Sequence, residues 1–347
     1  MIPGLRLFII GGTLGIVTFG LYQSKDIDAF VHSLQPRAES MAYEQSHWEE
    51  GEEQAVQASH EPNMEQLTAD IAEHAEKSKE APIDAKVDRV WKAIPGYNGL
   101  EVDLEETLKL AKKQGTAEGI PYVYKEVPPA VGLDDLGAQP IYKGNPNKRM
   151  VALMINVAWG NEFIGPMLDI LDRENVKATF FFDGSWLSKN VDTAKGIQQR
   201  GHELSNHAYS HKNMSTLGRQ ESINEIDKTQ KLLKEQLGVD NPLFAPPSGD
   251  FNQQTVQIAH EMGLKTILWT LDTVDWMKPS SESIVRKVAA RVEPGTMILM
   301  HPTESSSGAL EGMIRVIKEK DLALGTVSQV ISSNRVPSPN VSLEGNP

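Results

Sequence analysis

Cysteine is missing from all 347 residues of the chain, which removes disulfides, thiolate metal ligands and cysteine nucleophiles from the chemistry open to it. An exported protein fits that absence without being required by it. Positive charge is scarce: 34 Lys and Arg stand against 47 Asp and Glu, for a net charge of -13. Nucleic acid is thereby excluded as a partner, because binding phosphates needs clustered cations. A neutral or cationic glycan is not excluded. What is present is ordinary: 39% hydrophobic and 23% charged residues suit a globular protein with a real core. The length allows one large domain with additions.

One long apolar run stands near the N-terminus, where residues 5–22 carry only Arg6 and two threonines among apolar side chains. As a helix it would span about 27 Å, close to the hydrocarbon thickness of a bilayer. Gln23, Ser24, Lys25 and Asp26 follow without an A-x-A-like site. Segment 1–24 is therefore expected to be a retained transmembrane anchor, with a cleaved signal segment as the alternative. Arg6 favours a cytoplasmic N-terminus and an extracytoplasmic remainder, although Lys25 weakens the bias; cleavage would make the protein secreted. Residues 25–85 are polar and acidic, with Glu49, Glu50, Glu52 and Glu53 nearly contiguous. Too few large apolar side chains occur there to offset the entropy of ordering, so a flexible linker is expected, with at most a solvated helix over 64–80.

Residues 86–145 read as a small ordered extension and connection. Val90, Trp91, Ile94, Tyr97, Leu100 and Val102 precede a helical run with Leu104, Leu108 and Ala111 on one face. Trp91 and Tyr97 are expected to pack on the main domain, with contact to a sugar ring as the alternative. Residues 146–335 then alternate short apolar strands (151–157, 178–182, from 202, 243–244, 266–271, 297–300, 326–331) with helical segments, and Gly201, Gly238 and Gly263 stand where helices end. That alternation predicts a parallel sheet with helices outside it, in a compact and incomplete barrel. Residues 336–347 read as a flexible tail.

In such folds functional residues gather at the carboxyl ends of the strands. The third strand ends in His207 and His211, spaced so that two imidazoles can meet one ion. Alone, such a pair is a weak signal. The fourth ends in the stiff turn Ala245-Pro246-Pro247-Ser248-Gly249-Asp250, whose backbone N–H groups suit a developing oxyanion. The fifth carries Asp272, Asp275 and Trp276, and the sixth Leu299 and His301.

These elements, in this order, resemble the polysaccharide deacetylase family (NodB homology domain, carbohydrate esterase family four), with residues 177–184 and 201–207 especially characteristic. The resemblance implies a distorted (β/α) barrel of the NodB type and a divalent metal, commonly zinc, used to remove acetyl groups from N-acetylated amino sugars or xylan. It implies that His207 and His211 are metal ligands and that Asp275 orients His301, the general acid. Ser248 would offer its backbone N–H to the oxyanion, with Trp276 and Leu299 lining the acetyl pocket.

The first motif departs from that pattern. Asn156-Val157-Ala158-Trp159-Gly160 stands in place of Thr-Phe-Asp-Asp-Gly, so the resemblance puts Ala158 at the general base and Trp159 at the third metal ligand. Ala245 replaces the arginine that pairs with the base, and Ala208 replaces a hydroxyl residue that braces the histidine loop. The losses are coupled, since an arginine without its aspartate would be an unpaired buried charge. The pattern is similar to the sporulation-linked, YlxY-type branch of the family. The expectation is a deacetylase-like membrane protein that meets peptidoglycan-type cell-wall polysaccharide with an impaired site and doubtful metal occupancy. The alternatives are an active enzyme with a relocated base (Asp250, or Asp183 or Glu162) and a non-catalytic glycan- or partner-binding module.

Overall fold

The computed structural model describes residues 64–116, 119–336 and 342–343. The expected anchor over 1–24 and most of the expected linker lie outside them. Among the described residues no helix is long and apolar enough to cross a membrane.

The described chain begins with the helix Met64–Ser78, whose spacing puts Leu67 and Ile71 on one face. That face is buried against Val102 and Ala111. This corrects the linker boundary at 85 and the solvated-helix expectation: an i, i+4 apolar pair suffices once a downstream partner covers it. Strands β1 (Lys86–Asp88) and β2 (Lys92–Ile94) form an antiparallel hairpin. Strands β3 (Gly99–Val102) and β4 (Val123–Val127) flank the helix Leu104–Gln114, which is N-capped by Asp103.

Strands β5 (Met150–Val157), β6 (Thr179–Phe182), β7 (Glu203–Asn206), β8 (Leu243–Phe244) and β9 (Lys265–Thr266) follow one another in parallel pairs. On the other side of β5, β11 (Met297–Met300) carries β10 (Leu271–Asp272), and β12 (Ala323–Gly325) also pairs with β5. The sheet is a curled half-barrel. A short β13 (Ser342–Leu343) joins β4.

All eight residues of β5 are buried, as a strand covered on both faces requires. Side-chain alternation divides the core in two. Val151, Leu153, Ile155, Phe180 and Phe182 meet Ile164, Met167, Leu310 and Met313 of the outer helices. Ala152, Met154, Phe181, Ala245 and Met297 fill the inside of the curl, closed below by Ala93, Ile141 and Val330. The next inward-pointing position of β5 is Asn156, and it falls at the carboxyl end where the site opens.

Two expected strands differ. Residues 266–271 make two short strands, because the connection's Ile141 takes the N–H of Leu268 at 2.8 Å and turns the chain aside. Residues 326–331 are the helix Val327–Ile331, opened by a capping box between Thr326 and Gln329. Lys148, 1% exposed, holds that helix from below: its ammonium donates to the carbonyl of Gln329 and to the carbonyl and hydroxyl of Ser332, the latter two at 3.0 and 2.9 Å. Burial pushes its pKa down to about 8. Lys148→Met is expected to strand those acceptors and cost about 2–3 kcal/mol in urea unfolding; a loss below about 0.5 kcal/mol would show that the contact holds nothing.

Candidate active site

A cleft of about 370 Å³ opens at the carboxyl ends of the strands, lined by Asn156, Trp159, His211, Ser248, Trp269, Asp272, Trp276, Leu299 and His301. Asp275 and His207 sit just behind it, 0% and 1% exposed.

Asp275 and His301 are bound to each other twice. Asp275 Oδ1 meets His301 Nδ1 at 2.8 Å, and Oδ2 accepts the backbone N–H of His301 at 2.6 Å. The carboxylate therefore fixes the proton on Nδ1 and leaves Nε2 as the nitrogen free for a ligand. Asp275 and Trp276 lie in a turn bracketed by Val274 (φ 57°) and Lys278 (φ 54°). A left-handed valine is strained. Asp272, which takes the Val274 N–H at 2.7 Å, braces it. The turn buries the carboxylate and leaves Trp276 58% exposed at the cleft mouth.

The histidine loop is held from outside itself. His207 Nδ1 meets the carbonyl of Ala245 at 2.8 Å, and the His207 and His211 ring centres lie 5.2 Å apart. Burial, then the neighbouring His211, pushes the His207 pKa down to about 3, so its imidazole is neutral near neutral pH. The expectation that Ala208 weakens this loop is corrected by Glu225 and Thr229. Glu225 accepts the N–H groups of Tyr209 and Ser210 and the Ser210 hydroxyl at 3.1, 2.8 and 2.7 Å. Thr229 donates to the carbonyl of Ala208 at 2.7 Å. Both come from the helix Arg219–Leu237, whose polar inner positions were the only sequence signal.

Trp159 occupies the middle of the site. Its indole stacks on His301 at 5.3 Å and 14°, and meets His211 edge-on at 6.4 Å. Gly160 behind it stands at φ 82° with room for no Cβ, since one would come within 1.9 Å of the Pro302 carbonyl oxygen. Ser248 (φ 55°) is exposed on its turn at the cleft rim, and Leu299 is buried at the floor. The cleft residue without a motif signal is Trp269. Trp269 is thrown inward where the expected strand 266–271 breaks. The Asn156 side-chain oxygen is buried without a hydrogen-bond partner among the described residues.

Two of the three substitute carboxylates are engaged elsewhere, and the third lies outside the cleft. Asp250 accepts the N–H and hydroxyl of Ser215 at 2.7 and 2.9 Å, one on each oxygen, so the relocated-base reading is corrected to a loop brace. Asp183 caps the helix Gly184–Leu187 through the Trp186 N–H at 2.9 Å. Glu162 is exposed on the helix Asn161–Arg173, outside the cleft lining.

The fold and this constellation define a carbohydrate-esterase type of site with a paired aspartate and histidine and a rebuilt first motif. The chain belongs to the polysaccharide deacetylase family. That family's model matches residues 143–267. The chain is 44% identical over 281 residues to the uncharacterized protein YlxY of Bacillus subtilis, covering 81% of this chain and 87% of that protein. It is 32% identical over 199 residues to a peptidoglycan-N-acetylglucosamine deacetylase of Bacillus cereus, covering 56% and 72%. Among solved structures it is similar to a family 4 carbohydrate esterase pseudoenzyme from Bacillus anthracis, with TM-score 0.72 and 41% identity, covering 78% of this chain and 96% of that one. A mutant of that pseudoenzyme has restored enzymatic activity and aligns with the same TM-score.

The family is typically metal-dependent. The residues present do not fit a tightly held ion. Among the described residues no group of three or more His, Asp or Glu is placed to hold one, and two imidazoles alone are an incomplete set.

Proposed function

We propose that this chain is a glycan-binding member of its family with little or no deacetylase turnover, directed at N-acetylated, peptidoglycan-type cell-wall polysaccharide. The observation that carries the reading is the indole of Trp159 stacked on His301, beside an acid–histidine pair that is otherwise complete. His301 can still deliver a proton or a hydrogen bond, while Ala158 can accept none. The open cleft keeps three indoles, from Trp159, Trp269 and Trp276, which suit the apolar faces of sugar rings. The apolar run 5–22 would hold this domain at the outer face of the membrane, next to that polymer, and segment 25–63 would give it reach.

Binding of N-acetylglucosamine oligomers by calorimetry tests the reading. The natural chain is expected to bind without releasing acetate, and Trp276→Ala to bind about tenfold more weakly through loss of one ring contact. Acetate release at ordinary enzyme rates, abolished by His301→Ala, would overturn the loss of activity. Unchanged binding by Trp276→Ala would favour a partner-binding module that ignores the cleft.

A further inference from the structure

The hairpin β1–β2 takes no part in the cleft. Its base is fixed: Ala93 and Ile94 are buried, and the Ala93 N–H donates to the Pro140 carbonyl at 3.1 Å. Its turn is fixed as well, because Asp88 Oδ1 accepts the N–H groups of Val90 and Trp91 at 2.7 and 2.8 Å. Lys92 is held at φ 58°, a conformation costly for any residue but glycine, by its pairing with Asp88. This rigid turn displays apolar side chains to solvent. Val87 is 53% exposed, Val90 61% and Trp91 38%. Interleaved with them are Lys86, Arg89 and Lys92, all exposed and none in an ion pair among the described residues. The segment's single acid, Asp88, is spent on the backbone. In a chain of net charge -13, this is a local patch of the opposite sign.

Two valines and an indole on a convex tip are too little for a stable protein partner, which needs about 800 Å² from each side. A bilayer rewards such side chains one at a time. Apolar groups enter the acyl boundary, an indole settles at headgroup level, and cations meet anionic headgroups. From this geometry we infer that the β1–β2 tip inserts into the headgroup layer of an anionic lipid bilayer. The inference rests on the membrane-anchor reading for proximity and is independent of what fills the cleft. Insertion would hold the domain against the membrane surface instead of leaving it at the end of its tether.

The absence of cysteine makes the test direct. Full-length protein carrying Val90→Cys, labelled with a polarity-sensitive fluorophore, is reconstituted in vesicles of phosphatidylcholine with phosphatidylglycerol, or of phosphatidylcholine alone. Asp240→Cys, on an exposed loop of the barrel, is the reference site. The label at position 90 is expected to shift to shorter wavelength and to be quenched by lipid-borne nitroxide in the anionic vesicles, while the reference label is not. Adding Lys86→Glu, Arg89→Glu and Lys92→Glu is expected to move the embedded-to-free ratio of the tip by at least roughly a hundredfold toward free. Vesicle-bound protein whose label at 90 is quenched no more than the reference would overturn the inference and leave the anchor standing. Protein that fails to float with either vesicle would overturn both. A spectral shift at 90 that grows with protein concentration in the absence of lipid would also overturn it, in favour of a second copy of the chain. Melting temperatures matched to the natural chain show that each variant is folded.

Discussion

The triple substitution Ala158→Asp, Trp159→Asp and Ala245→Arg is expected to yield a protein that binds one divalent ion per chain. It should also release acetate from N-acetylglucosamine oligomers at least about a hundredfold faster than the natural chain, since general base catalysis alone is worth a hundred- to ten-thousand-fold. Each change has a separate physical job. Removing the indole at 159 clears the face of His301 and the edge of His211, and the carboxylate put there completes a three-ligand set with the two imidazoles. The carboxylate at 158 would enter a half-buried site, where partial desolvation favours its protonated form if it is left alone. The guanidinium at 245, beside His207, keeps it ionised and ready to take a proton. Ala158→Asp without Ala245→Arg should therefore recover less than the triple variant. His301→Ala on the triple background should remove the gain, because Asp275 then has no imidazole to orient. Metal analysis and acetate release read the two effects separately. A triple variant that melts like the natural chain yet binds no ion would mean that positions 158 and 159 do not face the paired imidazoles.

Most of the half-barrel could be read from local pattern, because its causes are local. The glycines at 201, 238 and 263 all adopt the left-handed conformation, and the apolar run 150–155 of β5 reads as a strand covered on both sides. What failed had distant causes. The break of 266–271 is made by Ile141, more than a hundred residues upstream, so no window over the strand contains it. That break also puts Trp269 into the cleft. The helix Met64–Ser78 is amphipathic by itself but is stable only against Val102 and Ala111. The helix at 327–331 was legible after all: Thr326 and Gln329 form a capping signature that the β-branched residues around it obscured. The site divides in the same way. His207 with His211 is a local spacing, whereas Asp275 and His301, 26 positions apart, are joined only through the family resemblance. The braces Glu225 and Thr229 act through tertiary contact, whereas Asp272 braces Val274 through a local turn two residues long.

Acidification from about pH 7 to about pH 4.5 is expected to strip roughly 5 kcal/mol of stability from the fold through two imidazoles. Burial, then the charge of Lys177, pushes the His202 pKa from 6.5 down to about 4. His207 is pushed to about 3, chiefly by burial. Both rings are therefore neutral in the folded protein across this range, while the unfolded chain takes up a proton at each below its ordinary pKa. The stability they contribute is complete above about pH 6.5 and is lost as the pH falls toward the folded values, at about 1.4 kcal/mol per unit for each ring. His202 should respond cleanly to substitution. Its Nδ1 accepts the Ala178 N–H at 3.2 Å, and its Nε2 is buried without a partner among the described residues, so a proton added to the ring finds no acceptor. His202→Gln can keep a hydrogen bond to Ala178 and cannot titrate. Urea unfolding of His202→Gln at the two pH values should show a loss smaller by about 2–3 kcal/mol than that of the natural chain, and His202→Gln with His207→Gln a loss smaller by about twice that. Carboxylates that titrate over the same interval cancel in the comparison, because the variants retain all of them. Parallel stability curves for the natural chain and the double variant would mean that neither ring is held neutral by the fold.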